Sequence, residues 1–242
     1  PTTSCIVSGL SNGTAYTFSA TATNSTGTSS ATSASSSVTP AGNPEAPTGV
    51  NAVAGNGSAT VSFTAPTITG GPAIASYTVT ASPNGATCTV NAPATSCVVP
   101  GLTNGTSYTF AVTANNGLFT SSASTASSSI VPATVPGAPT SVGAASTTSG
   151  STTITFTAPT SNGGSAITGY TVTSSPAGAT CVVGANATTY TCTGLTNGTA
   201  YTYSVVAVNT IGNSTSATSS ALTTQGAASA PTIISATPGD GQ

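Results

Sequence analysis

From Ser107 to Ala114 large side chains fall on every second position. Tyr108, Phe110 and Val112 share one face, and Thr109, Ala111 and Thr113 share the other. A period of two marks a strand with one face turned to a core. Ahead of it stands Gly101-Leu102-Thr103-Asn104-Gly105-Thr106, in which Asn-Gly supplies residues that tolerate positive φ and so predicts a turn. The same turn and strand begin at Gly9 and again at Gly194. In each copy a leucine lies six residues before a tyrosine, the spacing of a tyrosine corner. The rings of Tyr16, Tyr108 and Tyr201 are therefore expected to pack inward, with each hydroxyl reaching back to the loop backbone. For Tyr108 the expected partner lies between Thr103 and Gly105.

Alternation also marks the strands around this element. Val50 to Val53 opens the series. Ala59, Val61 and Phe63 then point inward against Thr60, Ser62 and Thr64, and Ile74, Tyr77 and Val79 point inward along Ser76 to Thr80. Short strands are expected at Thr87 to Val90 and Ser96 to Val99, and a last one from Ser121 to Val131. Gly70-Gly71-Pro72 breaks the chain between the second and third strands. Seven short strands between Gly, Pro and Asn turns predict a β-sandwich. A second set keeps the register, with Ile154 and Phe156, Tyr170 and Val172, and Tyr201, Tyr203 and Val205 in the corresponding places.

The spacing sets the organisation. Ala-Pro-Thr recurs at Ala46, Ala138 and Ala230, 92 residues apart each time. That period is too long for a solenoid unit and suits a small autonomous domain. Residues 1–40 read as the C-terminal half of a repeat, with strands at Cys5 to Leu10, Tyr16 to Thr23 and Ser29 to Val38. Residues 44–134 and 136–225 read as complete domains, and 229–242 as the start of another. Between the first two runs Pro40-Ala41-Gly42-Asn43-Pro44-Glu45-Ala46-Pro47, a linker whose prolines favour an extended path. On this register the chain is expected to be a window on a longer array, with targeting information elsewhere.

Charge changes the picture by its absence. There is no Lys, Arg or His, and the only acids are Glu45 and Asp240. Nothing is present to neutralise a phosphate, which excludes nucleic-acid binding through a basic patch and attraction to an anionic membrane. No apolar run approaches the roughly 20 residues that cross a bilayer. The periodic large apolar residues argue against disorder, which such a Ser- and Thr-rich chain would otherwise suggest.

Candidate chemistry is correspondingly thin. A serine nucleophile needs a base, and acid–base catalysis needs paired groups; the chain has neither His nor Lys, and its two carboxylates are expected at junctions. The segment is read as non-catalytic, with no cofactor. Cys88 and Cys97 lie in one repeat and Cys181 and Cys192 in the next, while Cys5 aligns with Cys97 and should pair upstream of Pro1. Metal binding is the rival reading, but two thiols per domain without histidine make a poor zinc site. Disulfides imply an oxidising, extracellular location. Asn-x-Ser/Thr sequons occur at Asn12, Asn24, Asn56, Asn104, Asn186, Asn197 and Asn213. A turn-forming role suits Asn12, Asn104 and Asn197, and glycosylation stays open. The loop before the last strand varies most: Asn24-Ser25-Thr26-Gly27, Asn116-Gly117-Leu118-Phe119 and Asn209-Thr210-Ile211-Gly212. Leu118 and Phe119 should stand exposed at a domain end, where they pack on the next domain or meet a neighbouring molecule.

The Ala-Pro-Thr opening, Ile-x-x-Tyr-x-Val in the third strand and Leu-x-x-x-x-x-Tyr at the corner together resemble the fibronectin type III family. The wording Thr-Val-Ser-Phe-Thr-Ala-Pro, Gly-Gly-Pro-Ala-Ile and Gly-Leu-Thr-Asn-Gly-Thr resembles tandem copies in large secreted and surface proteins of bacteria. The resemblance implies an all-β chain of tandem seven-stranded, immunoglobulin-like sandwiches in an elongated array. It departs at the second strand, where Phe63 and Phe156 replace the usual tryptophan. The family's adhesion tripeptide needs arginine and cannot be carried over. The expected role is a stalk, fibre or surface-layer segment whose partners are neighbouring repeats and other copies of itself. The alternative is an adhesin arm or an accessory module of a polysaccharide-degrading enzyme. A glycan platform would need exposed aromatics, for which Phe119 and Tyr190 remain outside the assigned core.

Overall fold

The structure is a computed structural model that describes residues 3–148, 150–182, 187–226, 230–232 and 234. Asn186, Asp240 and most of the expected repeat start at 229–242 lie outside the described residues. The described residues form strands and loops without a helix, in two compact units, Pro1–Ala133 and Thr134–Gln242.

In the first unit, β1 (Thr23–Asn24) and β2 (Gly27–Thr28) make a small hairpin. The complete repeat follows with β3 (Thr48–Ala54), β4 (Ala59–Thr64), β5 (Ser76–Ser82), β6 (Thr87–Asn91), β7 (Ser96–Val99) and β8 (Thr109–Asn115). They build two antiparallel sheets, β3-β4-β7 and β6-β5-β8. The alternation places Ala59, Val61 and Phe63 of β4 in one core with Tyr77, Val79 and Ala81 of β5 and Phe110, Val112 and Ala114 of β8. Burying each large side chain of this set contributes roughly 1.5 to 3 kcal/mol. Phe63 meets Tyr77 with ring centroids 4.9 Å apart.

Residues 3–40 depart from the expected strands. Cys5 to Leu10 forms no regular strand, and Tyr16 to Thr23 is reduced to a bridge between Tyr16 and Val38 ahead of β1. Among the described residues the apolar positions of this segment have no second sheet to pack on, and Ile6 is 97% exposed. Without that burial a strand gains too little to offset its ordering cost.

The last strand also differs, and the reason is chemical. Ser121 to Val131 runs beside β8 but forms no regular strand, with isolated bridges only at Ile130 and, just ahead of the segment, at Thr120. Ser121, Ser124 and Ser127 each donate a backbone N–H to β8, to the carbonyls of Ala114, Val112 and Phe110. Each Oγ then accepts the N–H of the same β8 residue, at 2.9, 2.9 and 3.1 Å. The hydroxyl proton goes to the carbonyl of the following residue. Three residues thus cover the length of two in a strand, about 6.7 Å. A serine every third position takes over the acceptor role that a carbonyl plays in a sheet.

The same ladder recurs with Ser29, Thr32 and Ser35, whose side chains accept from Ala22, Ala20 and Phe18. In the second unit Ser214 and Ser219 serve Ala207 and Tyr203. Between them stands Ala217, which has no hydroxyl, and there the chain reverts to ordinary strand pairing. Ser127→Ala should strand the buried Phe110 N–H and cost about 1 to 3 kcal/mol. Ser128→Ala, on an exposed side chain, should stay within about 0.5 kcal/mol. Denaturant melts of the two variants compare them directly, and equal effects would count against the ladder.

The second unit holds β9 (Thr140–Thr148), β10 (Ser151–Thr157), β11 (Ile167–Ser175), β12 (Thr180–Val182), β13 (Thr189–Thr193), β14 (Ala200–Asn209), β15 (Ala217–Thr218) and β16 (Leu222–Thr223). Its sheets run β12-β13-β10-β9 and β11-β14-β15, with β16 also on β14. The core repeats the first one, with Ile154, Phe156, Tyr170, Val172, Tyr203, Val205 and Ala207 buried. Two hydroxyls distinguish it: Thr152 and Tyr203 stand where the first repeat has Ala59 and Phe110. Both are buried without a hydrogen-bond partner among the described residues.

Candidate functional site

The cysteines join one bridge in each complete repeat, Cys88 with Cys97 and Cys181 with Cys192. The two bridges are built differently. Cys88 lies on β6 and Cys97 on β7, so the first ties strands consecutive in the chain but in opposite sheets, with Cα atoms 6.3 Å apart. Cys181 and Cys192 face each other across the β12–β13 pair within one sheet, with Cα atoms 4.0 Å apart.

Register accounts for part of this. Val61 pairs with Cys97, whereas its counterpart Ile154 pairs with Tyr190, and Cys192 lies two residues further on, opposite Thr152. The slot that Cys97 occupies in the first repeat therefore holds an aromatic ring in the second. Tyr190 is 1% exposed and stacks on Phe156 at 5.6 Å, which overturns its expected place as an exposed platform. The alternation Thr189-Tyr190-Thr191-Cys192-Thr193 carried the signal, since Tyr190 must share the inward face of Cys192. Cys5 is a free, exposed thiol.

At the corner, Leu102 and Tyr108 are 6% and 2% exposed. The Thr103 N–H donates to Tyr108 Oη at 3.1 Å. Thr196 N–H donates to Tyr201 Oη and Ser11 N–H to Tyr16 Oη, both also at 3.1 Å. Asn104 of the Asn-Gly turn accepts from Gly57 N–H and donates to Asn56 Oδ1, which ties this turn to the β3–β4 turn. Asn197 accepts from Gly150 N–H in the same way.

Burial holds the phenols of Tyr77, Tyr170 and Tyr190 above the ordinary value, with Tyr170 adding to the effect at Tyr190. The Ser11 N–H holds the half-buried Tyr16 phenol below it. A raised phenol keeps its proton longer in the folded chain than in the unfolded one. Its stabilisation is complete below the unfolded value near 10 and is lost as pH climbs through the folded values. With no Lys, Arg or His in the chain, melting temperature should be flat between about pH 6 and 9 and fall above about pH 10. A scan of melting temperature against pH tests this, and a slope in the neutral range would contradict it.

At the opposite end of each repeat from the Asn-Gly turn, an asparagine that sequence reasoning missed gathers the loops. Asn116, 4% exposed, donates both amide protons, to Gly42 O at 3.0 Å and Thr69 O at 2.9 Å. Its Oδ1 accepts the N–H groups of Leu118 and Phe119. Asn209 repeats the pattern toward Thr134 O, Asn162 O, Ile211 N–H and Gly212 N–H. Asn24 caps its own turn likewise, through Thr26 and Gly27. The signal was the asparagine at the head of all three variable loops. Leu118 and Phe119 are 68% and 40% exposed. Their loop lies at the end where the Gly42 linker enters the repeat.

The outward sheet faces are rows of hydroxyls. Thr78 stands between Thr89 and Thr113, with Oγ1 3.1 Å from that of Thr89. Thr153 pairs with Thr191 and Thr155 with Thr189, while the Ser204 and Thr218 oxygens are 3.0 Å apart. An open cavity of 560 Å³ is lined by Cys5, Val7, Leu10 and Phe18 among others. Among the described residues no three His, Cys, Asp or Glu side chains come together as a metal site, and no helix is long and apolar enough to cross a membrane.

Comparison with known proteins adds the family. No curated protein matches. Among solved structures, a two-domain fibronectin type III segment of chicken tenascin is 21% identical, with a TM-score of 0.38, and the match covers 74% of this chain and 100% of that one. The chicken CNTN1 FN1-FN3 domains are also 21% identical, with a TM-score of 0.39 over 88% of this chain and 77% of that one. The model of the fibronectin type III domain matches residues 45–130 and 137–225, one copy on each complete sandwich, and this chain therefore belongs to the fibronectin type III family.

Proposed function

We propose that this chain is part of a repetitive, non-catalytic structural array in a large secreted or cell-surface protein of a bacterium, serving as stalk, fibre or surface layer. The observation that carries the reading is the disulfide in each complete repeat, because such bridges persist in oxidising surroundings. Neutral sandwich bodies support it, since they offer trypsin no Lys or Arg to cleave. Proteins usually blunt exposed sheet edges with lysine or inward charges. This chain has no such charge, and its outward faces are threonine rows, so lateral association with further copies follows. Purified protein taken through a wide concentration range and imaged should form filaments or sheets. Monodisperse monomers throughout would sink the assembly.

Exposure of Leu118 and Phe119 favours a second reading, an adhesin arm or accessory module of a polysaccharide-degrading enzyme that touches a glycan there. A glycan-array screen tests it. Specific binding that disappears in Phe119→Ala would promote this reading, and the absence of binding removes it.

A further inference from the structure

The loop end of the first complete repeat engages more than its own strands. Gly42 of the linker donates its N–H to Gly70 O at 2.8 Å, while its carbonyl receives Asn116 Nδ2. Glu45 N–H donates to Ile68 O at 3.0 Å, and Pro44 and Pro47 are buried. The linker is therefore hydrogen-bonded along one side. Gly70 is at φ +76°, and a Cβ there would come within 2.8 Å of the Asn43 carbonyl carbon. Next to it, a Cβ on Gly71 would come within 2.8 Å of the Gly13 nitrogen and 3.1 Å of Pro40 O. Gly13 belongs to the Asn-Gly turn of the preceding partial repeat, and its N–H donates to Pro40 O at 2.9 Å. Two glycines in a row thus let the backbone of one repeat lie against the turn of the one before. In the second complete repeat Gly163, at φ +74°, approaches Val135 O to within 2.6 Å of a built Cβ. Thr134 N–H donates to Gly163 O at 2.8 Å, and Asn209 takes the Thr134 carbonyl.

We infer that this end of each complete repeat is a docking surface for its linker and, in the first repeat, for the preceding repeat's Asn-Gly turn, with Asn116 and Asn209 as the clasps. The arrangement rests on the structural-array reading, to which it adds a device that seats each linker on its own repeat. One donor proton of the asparagine holds the linker carbonyl, and the other holds a loop of its own repeat at Thr69 or Asn162. Both acceptor positions are committed to the loop that carries the amide. An aspartate keeps the acceptors, loses the donors and sets a negative charge against two carbonyls, so it opens the clasp and spares the loop.

The chain supplies its own reporter. Glu45 is its only glutamate, lies in the clasped linker and is exposed. A glutamate-specific protease acting on the full chain therefore cuts at one place, at a rate set by how often the linker leaves its seat. Loss of the amide bond to the Gly42 carbonyl should raise that rate about ten-fold in Asn116→Asp. Asn209→Asp releases the other linker and should leave cleavage at Glu45 as it was. Unchanged cleavage in Asn116→Asp, or an equal increase in Asn209→Asp, would overturn the assignment. If Asn116→Asp fails to fold, Gly42→Pro removes the N–H given to Gly70 and crowds the linker against Gly70 and Asn12, and unchanged cleavage in that variant overturns it instead. Because the readout is linker opening, failure here is distinct from failure to assemble.

Discussion

Replacing Tyr108 by alanine should cost the first complete repeat roughly 3 to 5 kcal/mol, a large share of a small domain's stability. The ring is 2% exposed beside Leu102, and its removal leaves a cavity that the surrounding sheet cannot close. Tyr108→Phe keeps the ring and deletes only the acceptor of the Thr103 N–H, which should cost about 0.5 to 1.5 kcal/mol. Thr109→Ala, one residue on and turned outward, should be close to neutral. Denaturant melts of residues 44–134 carrying each change give the order. If Thr109→Ala proves more damaging than Tyr108→Ala, the inward face has been assigned to the wrong set of residues.

The second large effect concerns the bridges. Cys88 and Cys97 are separated by 9 positions and Cys181 and Cys192 by 11. Closing loops of that length removes denatured-state entropy worth about 2.5 to 3 kcal/mol per bridge on the chain-entropy model. Replacing both Cys88 and Cys97 by alanine should lower the stability of the first repeat by that amount. The change should leave the second repeat where it was, because the two bridges share no partners. Intact mass under non-reducing denaturation should show all four cysteines of the complete repeats oxidised, as Cys88–Cys97 and Cys181–Cys192. Free thiols among those four, or a bridge from one repeat to the other, would refute the pairing.

Much of the architecture was legible from local chemistry. A period of two in Ala59-Val61-Phe63 and Tyr108-Phe110-Val112 names both strand and inward face, because alternate side chains of a pleated strand must point to opposite sides. The Asn-Gly turns and the leucine six residues before each tyrosine place the corners for a similar reason, since their geometry spans only a few residues. Family membership followed from the same short patterns, repeated once per sandwich.

Other features depended on partners far along the chain. Ser121, Ser124 and Ser127 read as an ordinary strand by composition. They become a ladder only because β8 presents an N–H to each hydroxyl. Cys97 stands five residues before Leu102, and Cys192 only three before Leu195. Pairing against β4 and β10 sets them one pleat apart and turns Tyr190 into core. Asn116 looked like one more loop asparagine, and its role emerged when Gly42 and Thr69, 74 and 47 positions away, came within reach of one amide. Local patterns determined what each segment is. Only tertiary packing decided which distant donor meets which acceptor, because those bonds exist only after the sheets have closed.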